Sequence, residues 1–413
     1  MKKKVVILSD HALSTSGVGT QTRHLVSGLL EKNKYTFRQF GAALKHASYD
    51  TIKVDDDFII KPIDGFGNPD LIRVTLAAEK PDVLFIFTDP RFFLWLFEIE
   101  DEIHQVCPIA WWHVWDNTPY PEFNDPLYES TDLINCHSHH TYTQLKDRHP
   151  SKTNFIPHAV PKNIFKKINK EDIQKHKISL LGEERKDWFV GIWVNRNAKR
   201  KRSSDTIVAW KQFLDNLEKE HGHRNALLIM HCDPHDPEGS NLIQVSEAMD
   251  VQENVFFSTQ RLDFENMNVL YNISDFCINI SYAEGFGLST LESMQCGTPI
   301  IAVKTGGLTR QVIDHRDGTE NGVSLPVELQ TLVGSQTVPY IYEDYVSHET
   351  IANGIMKFYN MSDEEKESLC KKVLEYVDSE FNLKDVVDKW DETLTELIGN
   401  WKENYKRYEV FSM

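Results

Sequence analysis

The sequence predicts an α/β chain made of two doubly wound, Rossmann-like halves, on three observations. Short continuous apolar runs recur along it, as strands covered on both faces of a parallel sheet require. The runs alternate with segments of helical spacing, the rhythm of βαβ units. That rhythm breaks once, over a polar, proline-bearing stretch at 157–187, and then restarts.

In order along the chain, Val5-Val6-Ile7-Leu8 is the first strand and Ser14–Thr20 a polar turn, after which Leu25, Leu29 and Leu30 recur at helical spacing. Further strands are predicted at 35–40, 83–87, 109–112 and 133–136. Pro157, Pro161 and the polar stretch 162–177 read as a connection. The second half holds strands at 188–194, 226–230, 255–257, 276–280 and 299–303, and a helix over 204–217. Acidic helical patterns at 363–378 and 383–405, without strands, form the tail. The predicted boundaries are a first domain at 1–165, a linker at 166–187, a second domain at 188–378 and terminal helices at 379–413. Ligands of open α/β sheets sit beyond the carboxyl ends of the strands, and two such sheets would present those ends to a shared cleft.

Composition agrees. With 413 residues, 40% of them hydrophobic, the chain can fill two cores, and 26% charged residues with 20 Gly and 16 Pro exclude disorder and collagen-like repeats. The longest apolar runs, 83–87 and 92–97, fall short of the roughly 18–20 residues a membrane helix needs, so no spanning segment is expected. The apolar stretch after Lys2-Lys3-Lys4 stops at Ser9-Asp10-His11, which argues against a standard export signal. Cys107, Cys136, Cys232, Cys277, Cys296 and Cys370 are scattered, the pattern of reduced thiols in a cytoplasm. The net charge of -17 is lopsided: residues 1–170 carry 20 Lys/Arg against 21 Asp/Glu, the remainder 25 against 41. General electrostatic attraction to nucleic acid is thereby excluded, while the near-neutral first half keeps an anionic partner open there.

The chemistry-bearing stretch is Ser281-Tyr282-Ala283-Glu284-Gly285-Phe286-Gly287-Leu288, continuing to Glu292 and Met294. It follows an apolar strand and opens a helix. Gly285 and Gly287 let backbone N–H groups approach a ligand, and the helix N-terminus adds a positive dipole, so a diphosphate fits. Glu284 stands in the turn and Glu292 in the helix. An acid beside a phosphate site is unfavourable unless it binds hydroxyls, which sugars and riboses supply. The alternative is a glycine turn with two surface acids.

Glu284, seven intervening residues and Glu292, in the setting EGFGL…E…CGTPII…GG, resemble the motif of family-4 retaining glycosyltransferases. The resemblance implies the GT-B fold: two Rossmann-like domains facing a central cleft, an acceptor-side domain at 1–165, a nucleotide-sugar donor domain at 188–378, and a C-terminal helix crossing back to the first domain. It implies that Glu284 contacts the transferred sugar, that Glu292 contacts the donor's ribose, and that Gly285, Phe286, Gly287 and Leu288 lie along sugar or phosphate.

Other segments match at the family's intervals. The stretch from Trp193 to Arg202 resembles the strand-end Arg followed by Lys, which implies that Arg196 and Lys201 neutralise the diphosphate and the leaving-group charge. Lys199 or Arg202 could share that role, since five basic residues crowd into 196–202. Ser16-Gly17-Val18-Gly19-Thr20 matches the first strand–helix turn, which faces the diphosphate; without the third glycine of a dinucleotide fingerprint it argues against an NAD-dependent oxidoreductase, an alternative kept beside a non-catalytic nucleotide-sugar-binding protein. His113 and Asp116 lie just beyond a strand, where the family places a His near the anomeric centre; here His-Val-Trp-Asp leaves open which of the two acts there. The aromatic residues Trp111, Trp112, Trp115, Tyr120 and Phe123 around them suit sugars or bases as well as core packing. Thr305-Gly306-Gly307-Leu308-Thr309-Arg310 resembles the family's double glycine, with Arg310 where the family has Glu. Pro157-His158-Ala159-Val160 resembles the segment closing the first domain.

Three clusters are set aside as metal sites: Asp55-Asp56-Asp57 reads as a solvated loop, Cys136, His137, His139 and His140 cannot all turn to one ion, and His231–Asp236 reads as a turn. The expected protein is a retaining transferase that needs no metal and uses a nucleotide-sugar donor, a UDP-sugar, with a saccharide acceptor. The stretch Gly306 to Tyr345 resembles glycosyltransferases of large DNA phages. That leaves open a modified base in phage DNA as acceptor, of the hydroxymethylcytosine type, and the host cytoplasm as the site of action.

Overall fold

The computed structural model describes residues 2–43 and 48–404. The chain divides into two compact units, one of residues 1–159, 335–339 and 383 onward, the other of 160–334 and 340–382.

The first unit is built on strands β1 (Lys3–Asp10), β2 (Tyr35–Ala42), β3 (Ile52–Asp55), β4 (Phe58–Pro62), β5 (Val83–Thr88), β6 (Ile109–His113), β7 (Leu133–Cys136) and β8 (Thr153–Phe155). Their order is β3-β4-β2-β1-β5-β6-β7-β8, parallel except at the β3/β4 edge. Every residue of β5 is buried, as a central parallel strand requires. The helix Gly17–Glu31 begins at Ser16, whose side chain accepts the Gly19 N–H at 3.0 Å. It sets Leu25, Val26 and Leu29 on Val5 and Ile7. The same core takes Val386, Val387, Trp390, Leu394 and Ile398 from the helix Leu383–Asn404. Asp391 fastens that helix by accepting from Tyr35 Oη at 2.7 Å and pairing with Lys34 at 2.6 Å.

The second unit holds β9 (Phe189–Val194), β10 (Ala226–His231), β11 (Val255–Ser258), β12 (Phe276–Asn279), β13 (Ile300–Val303) and β14 (Gly322–Leu325), all parallel, in the order β11-β10-β9-β12-β13-β14. A separate antiparallel ribbon pairs β15 (Leu329–Val333) with β16 (Ile341–Tyr345). One face of the sheet is covered by the helix Ser203–His221 through Ile207, Trp210, Phe213, Leu214 and Leu217. The other is covered by Leu291 and Met294 of the helix Leu288–Gln295 and by Val373, Tyr376 and Val377 of the helix Asp363–Glu380.

The expected linker at 166–187 needs correction. It carries the helix Lys170–Leu181, begun by Asn169, and the second unit holds its start: Lys166 N–H donates to Asn268 Oδ1 at 2.8 Å and Ile168 N–H to Asn272 Oδ1 at 2.9 Å. Two amides of the helix Phe264–Ile273 thus bond backbone that polar composition alone assigned to a connection. Asp55 likewise ends β3 rather than lying in a loop, with Asp56 and Asp57 forming the turn to β4. Six strands lie outside the expected set: β3, β4, β8, β14 and the two ribbon strands β15 and β16.

Candidate functional site

The second unit's site grows from the end of β12. Asn279, fully buried, turns the chain there: its Oδ1 accepts Ser281 N–H at 3.1 Å and lies 2.6 Å from Ser281 Oγ. The turn brings Glu284 back, so that its Oε2 lies 3.4 Å from Asn279 Nδ2 and 3.3 Å from Ser281 Oγ. The same oxygen pairs with Lys201 Nζ, and both side chains are only 10% exposed. Burial alone would raise the Glu284 pKa, but Lys201 and Arg200 overcome it and hold the carboxyl at about 2. An ionised carboxylate and an ammonium are therefore fixed together at the carboxyl end of the sheet, where open α/β folds bind ligands.

Beyond Glu284 the chain makes its glycine turn. Gly287 adopts φ 90°, a left-handed conformation that glycine takes without strain, and caps the helix Leu288–Gln295. Gln311, fully buried, clamps this turn: its Nε2 donates to Phe286 O at 2.6 Å and Gly287 O at 3.1 Å, and its Oε1 accepts from Thr290 Oγ1 at 2.6 Å. Phe286 is buried edge-on against Phe381 at 5.7 Å. The double glycine packs directly on the turn. Gly307 N–H donates to Glu284 O at 2.9 Å, and a Cβ at Gly307 would come within 2.4 Å of Gly285 O.

Glu292 lies one helical turn further, half-buried, with Oε2 accepting from Tyr271 Oη at 2.7 Å. Withdrawal from water pushes its pKa up to about 7, against the lowering effect of the Tyr271 bond.

The basic cluster is divided by the fold. Lys201 turns inward. Arg196 is exposed and pairs with Asp236 at 2.7 Å and Glu238 at 3.1 Å. Lys199 and Arg200 are also exposed. Arg202 is buried and donates to Val346 O, so the expectation that it shares the phosphate role is corrected. Arg310 pairs with Glu380 at 2.8 Å.

In the first unit, Gly17, Val18 and Gly19 open the first helix beyond β1, Gly17 exposed and Gly19 buried. His113 ends β6, fully buried, with Nε2 2.8 Å from Tyr128 Oη. Burial, and secondarily His137, hold its pKa well below the usual imidazole value, so it is neutral. Its Nδ1 has no hydrogen-bond partner among the described residues. Asp116 follows in the half-buried segment after β6. Trp111, at 4.7 Å from the His113 ring, and Trp112 are core residues, as are Trp115 and Tyr128.

Gln311, Tyr271 and Asn279 escaped sequence reasoning. Each is an isolated polar residue in an apolar or mixed segment, and only tertiary packing gives it a partner. Among the described residues no group of three or more His, Cys, Asp or Glu could hold a metal ion, and no helix is long and apolar enough to cross a membrane. All six cysteines are unpaired.

Residues 174–330 match the family model described as "Glycosyl transferases group 1". The chain is 25% identical over 189 residues to the N-acetyl-alpha-D-glucosaminyl L-malate synthase of Bacillus anthracis, covering 42% of this chain and 46% of that one. It is 45% identical over 49 residues to the D-inositol 3-phosphate glycosyltransferase 2 of Catenulispora acidiphila, 12% of each chain. The matches thus span less than half the length of these curated relatives. Among solved structures, sucrose-phosphate synthase from Thermosynechococcus elongatus superposes with a TM-score of 0.73 at 17% identity, over 96% of this chain and 100% of that one. Anabaena HepE in complex with UDP and glucose gives 0.66 at 16% identity, over 95% and 100%. The fold is of the GT-B type.

Proposed function

We propose, from the premise that residues 174–330 are a group 1 glycosyltransferase segment, that the chain transfers a sugar from a nucleotide-diphosphate donor to an acceptor hydroxyl with retention at the anomeric carbon. The observation that carries the reading is the buried Lys201–Glu284 pair at the carboxyl end of β12, beside the glycine turn. Lys201 and the helix N-terminus at Leu288 supply positive potential for the diphosphate, where negative charge grows as the sugar departs. Glu284, held ionised, accepts hydrogen bonds from the sugar's hydroxyls. Glu292 takes the ribose hydroxyls, with Tyr271 fixing the carboxyl. Arg196, itself exposed, exchanges its acidic partners Asp236 and Glu238 for phosphate oxygens.

A carboxylate held at about 2 and tied to an ammonium is a weak nucleophile, which favours same-face substitution over a covalent sugar–enzyme intermediate. The bond from the anomeric carbon to the diphosphate oxygen breaks, and the acceptor oxygen bonds the same face. The acceptor's proton passes to the departing phosphate oxygen, so this reading requires no metal ion and no bound cofactor.

The donor we favour is a UDP-sugar, on the likeness to HepE bound to UDP and glucose. The acceptor we favour is a small hydroxylated molecule, because the relatives are named for malate and inositol 3-phosphate. The six unpaired thiols suit a reducing cytoplasm.

The test is transfer from UDP-, GDP- and ADP-glucose to malate, inositol phosphates, sugar phosphates and hydroxymethylated duplex DNA, with product configuration read by NMR. An α-linked product on a small acceptor is expected from these α-linked donors. A β-linked product overturns retention, transfer to the DNA alone overturns the acceptor, and a pure donor-binding protein would form no product at all.

A further inference from the structure

We infer that Arg202 is a positioning residue for the Lys201–Glu284 pair, through which the β15–β16 ribbon sets where Lys201 points. The inference rests on the donor-site reading for its kinetic consequence, but its geometry stands on its own.

Arg202 directly follows Lys201 and adopts φ 54° and ψ 40°, the left-handed region that disfavours a side chain. Such a conformation persists only where the surroundings over-determine it, and here they do. The side chain is 5% exposed, its Nε donates to Asp205 Oδ2 at 2.9 Å, and Nη1 and Nη2 both donate to Val346 O at 3.1 Å. Its guanidinium also faces two rings, 5.1 Å from the Tyr282 centroid and 5.7 Å from that of Tyr345, the rings being tilted at 33° with centroids 4.4 Å apart. Asp205 in turn bonds His348 Nε2 at 2.8 Å.

The three elements that meet here each bear on the ion pair. Tyr282 stands two residues before Glu284, and its N–H donates to Arg200 O at 2.9 Å. Its carbonyl accepts the N–H of Asp344, in β16, at 2.8 Å. The basic turn, the loop bearing Glu284 and the ribbon are thus joined around one guanidinium. Among the described residues the ribbon pairs with no other strand, and its pair Leu332 and Tyr342 is exposed, at 62% and 36%. Whatever shifts the ribbon therefore moves the Arg202 clamp, and with it the residue next to it in the chain.

Tyr345→Ala and Arg202→Lys remove the clamp without touching the carboxylate or the ammonium, and Tyr345→Phe keeps the ring while removing only the hydroxyl, which donates to Glu343. Lysine cannot both fork onto one carbonyl and lie flat on two rings. Two readouts are taken on the folded full chain: the rate of Lys201 acylation followed by mass spectrometry, and kcat against donor KM. For Y345A and R202K we expect Lys201 acylation to rise and kcat to fall about ten-fold each, with donor KM held within about two-fold, the pattern of a displaced catalytic group. Y345F should match the unaltered protein. Unchanged acylation in both Y345A and R202K overturns the inference, whatever happens to thermal stability, and so does a freed Lys201 with unchanged kcat. If the unaltered protein transfers no sugar, the proposed function fails, while the acylation rates still decide the positioning role.

Discussion

Glu284 and Glu292 stand on one loop-and-helix segment, and their surroundings drive them to opposite charge behaviour. Glu284 meets an ammonium and two polar side chains, so the cost of burial is overcome and its carboxyl is held at about 2. Glu292 meets one phenol and no cation among its hydrogen-bond partners, so withdrawal from water prevails and pushes it to about 7. The residue type is shared and the spacing is regular. What differs is the neighbour that the fold delivers: Lys201 comes from the turn after β9, and Tyr271 from the helix preceding β12. One carboxylate is thus a fixed anion across the working pH range, while the other titrates within it.

The largest test of this contrast is to break the pair. Glu284→Gln leaves the Lys201 ammonium buried without its counter-ion and should cost about 3 kcal/mol of unfolding free energy in urea. Adding Lys201→Met should return much of that loss while transfer stays abolished. A Glu284→Gln protein of full stability would mean that the pair is open to water. Next in size, Gly307→Ala forces a methyl against the Gly285 carbonyl and should cost about 2 kcal/mol, with weaker donor binding by calorimetry. An unchanged affinity would show that the glycine turn does not touch the donor.

The two carboxyls also predict opposite pH trends. Glu284, lowered in the fold from 4.5, contributes stability that is present above 4.5 and lost as pH falls toward about 2. Glu292, raised from 4.5 to about 7, works the other way: between those values the unfolded chain has released the proton that the folded chain keeps, so stability falls as pH rises and then levels off. Glu292→Gln should remove that decline and be about 1–2 kcal/mol more stable than the unaltered protein at pH near 8. Parallel urea profiles for the two proteins from pH 5 to 8 would contradict the raised carboxyl. The smallest effect is expected at Arg196, whose own side chain is exposed. Arg196→Ala should change stability by no more than about 0.5 kcal/mol while weakening donor binding.

Much of this was legible in the sequence because the same residues report locally and globally. The apolar runs at 5–8 and 83–87 and the run beginning at 276 are buried strands, as a parallel sheet covered on both faces requires. Glu284, Gly287 and Lys201 were legible as a motif. The strand Ile52–Asp55 was not, since all four residues are exposed at a sheet edge and half of them are charged. Nor was the ribbon, whose strands mix polar and apolar residues because neither face enters a core. The helix Lys170–Leu181 buries no residue, so periodicity gave no reason to separate it from a polar connection. The missing parts of the site share one cause. Gln311 and Tyr271 act through partners 25 and 21 residues away, a pairing that exists only after folding.

The central claim, a nucleotide-sugar gripped beside Lys201 with its ribose on Glu292, is tested most directly by a thermal-shift screen of the unaltered protein and Glu292→Ala against UDP-, GDP- and ADP-sugars. A rise in Tm with one nucleotide class, abolished in Glu292→Ala, is the predicted result. A rise of equal size in both proteins, or none with any donor, would contradict it.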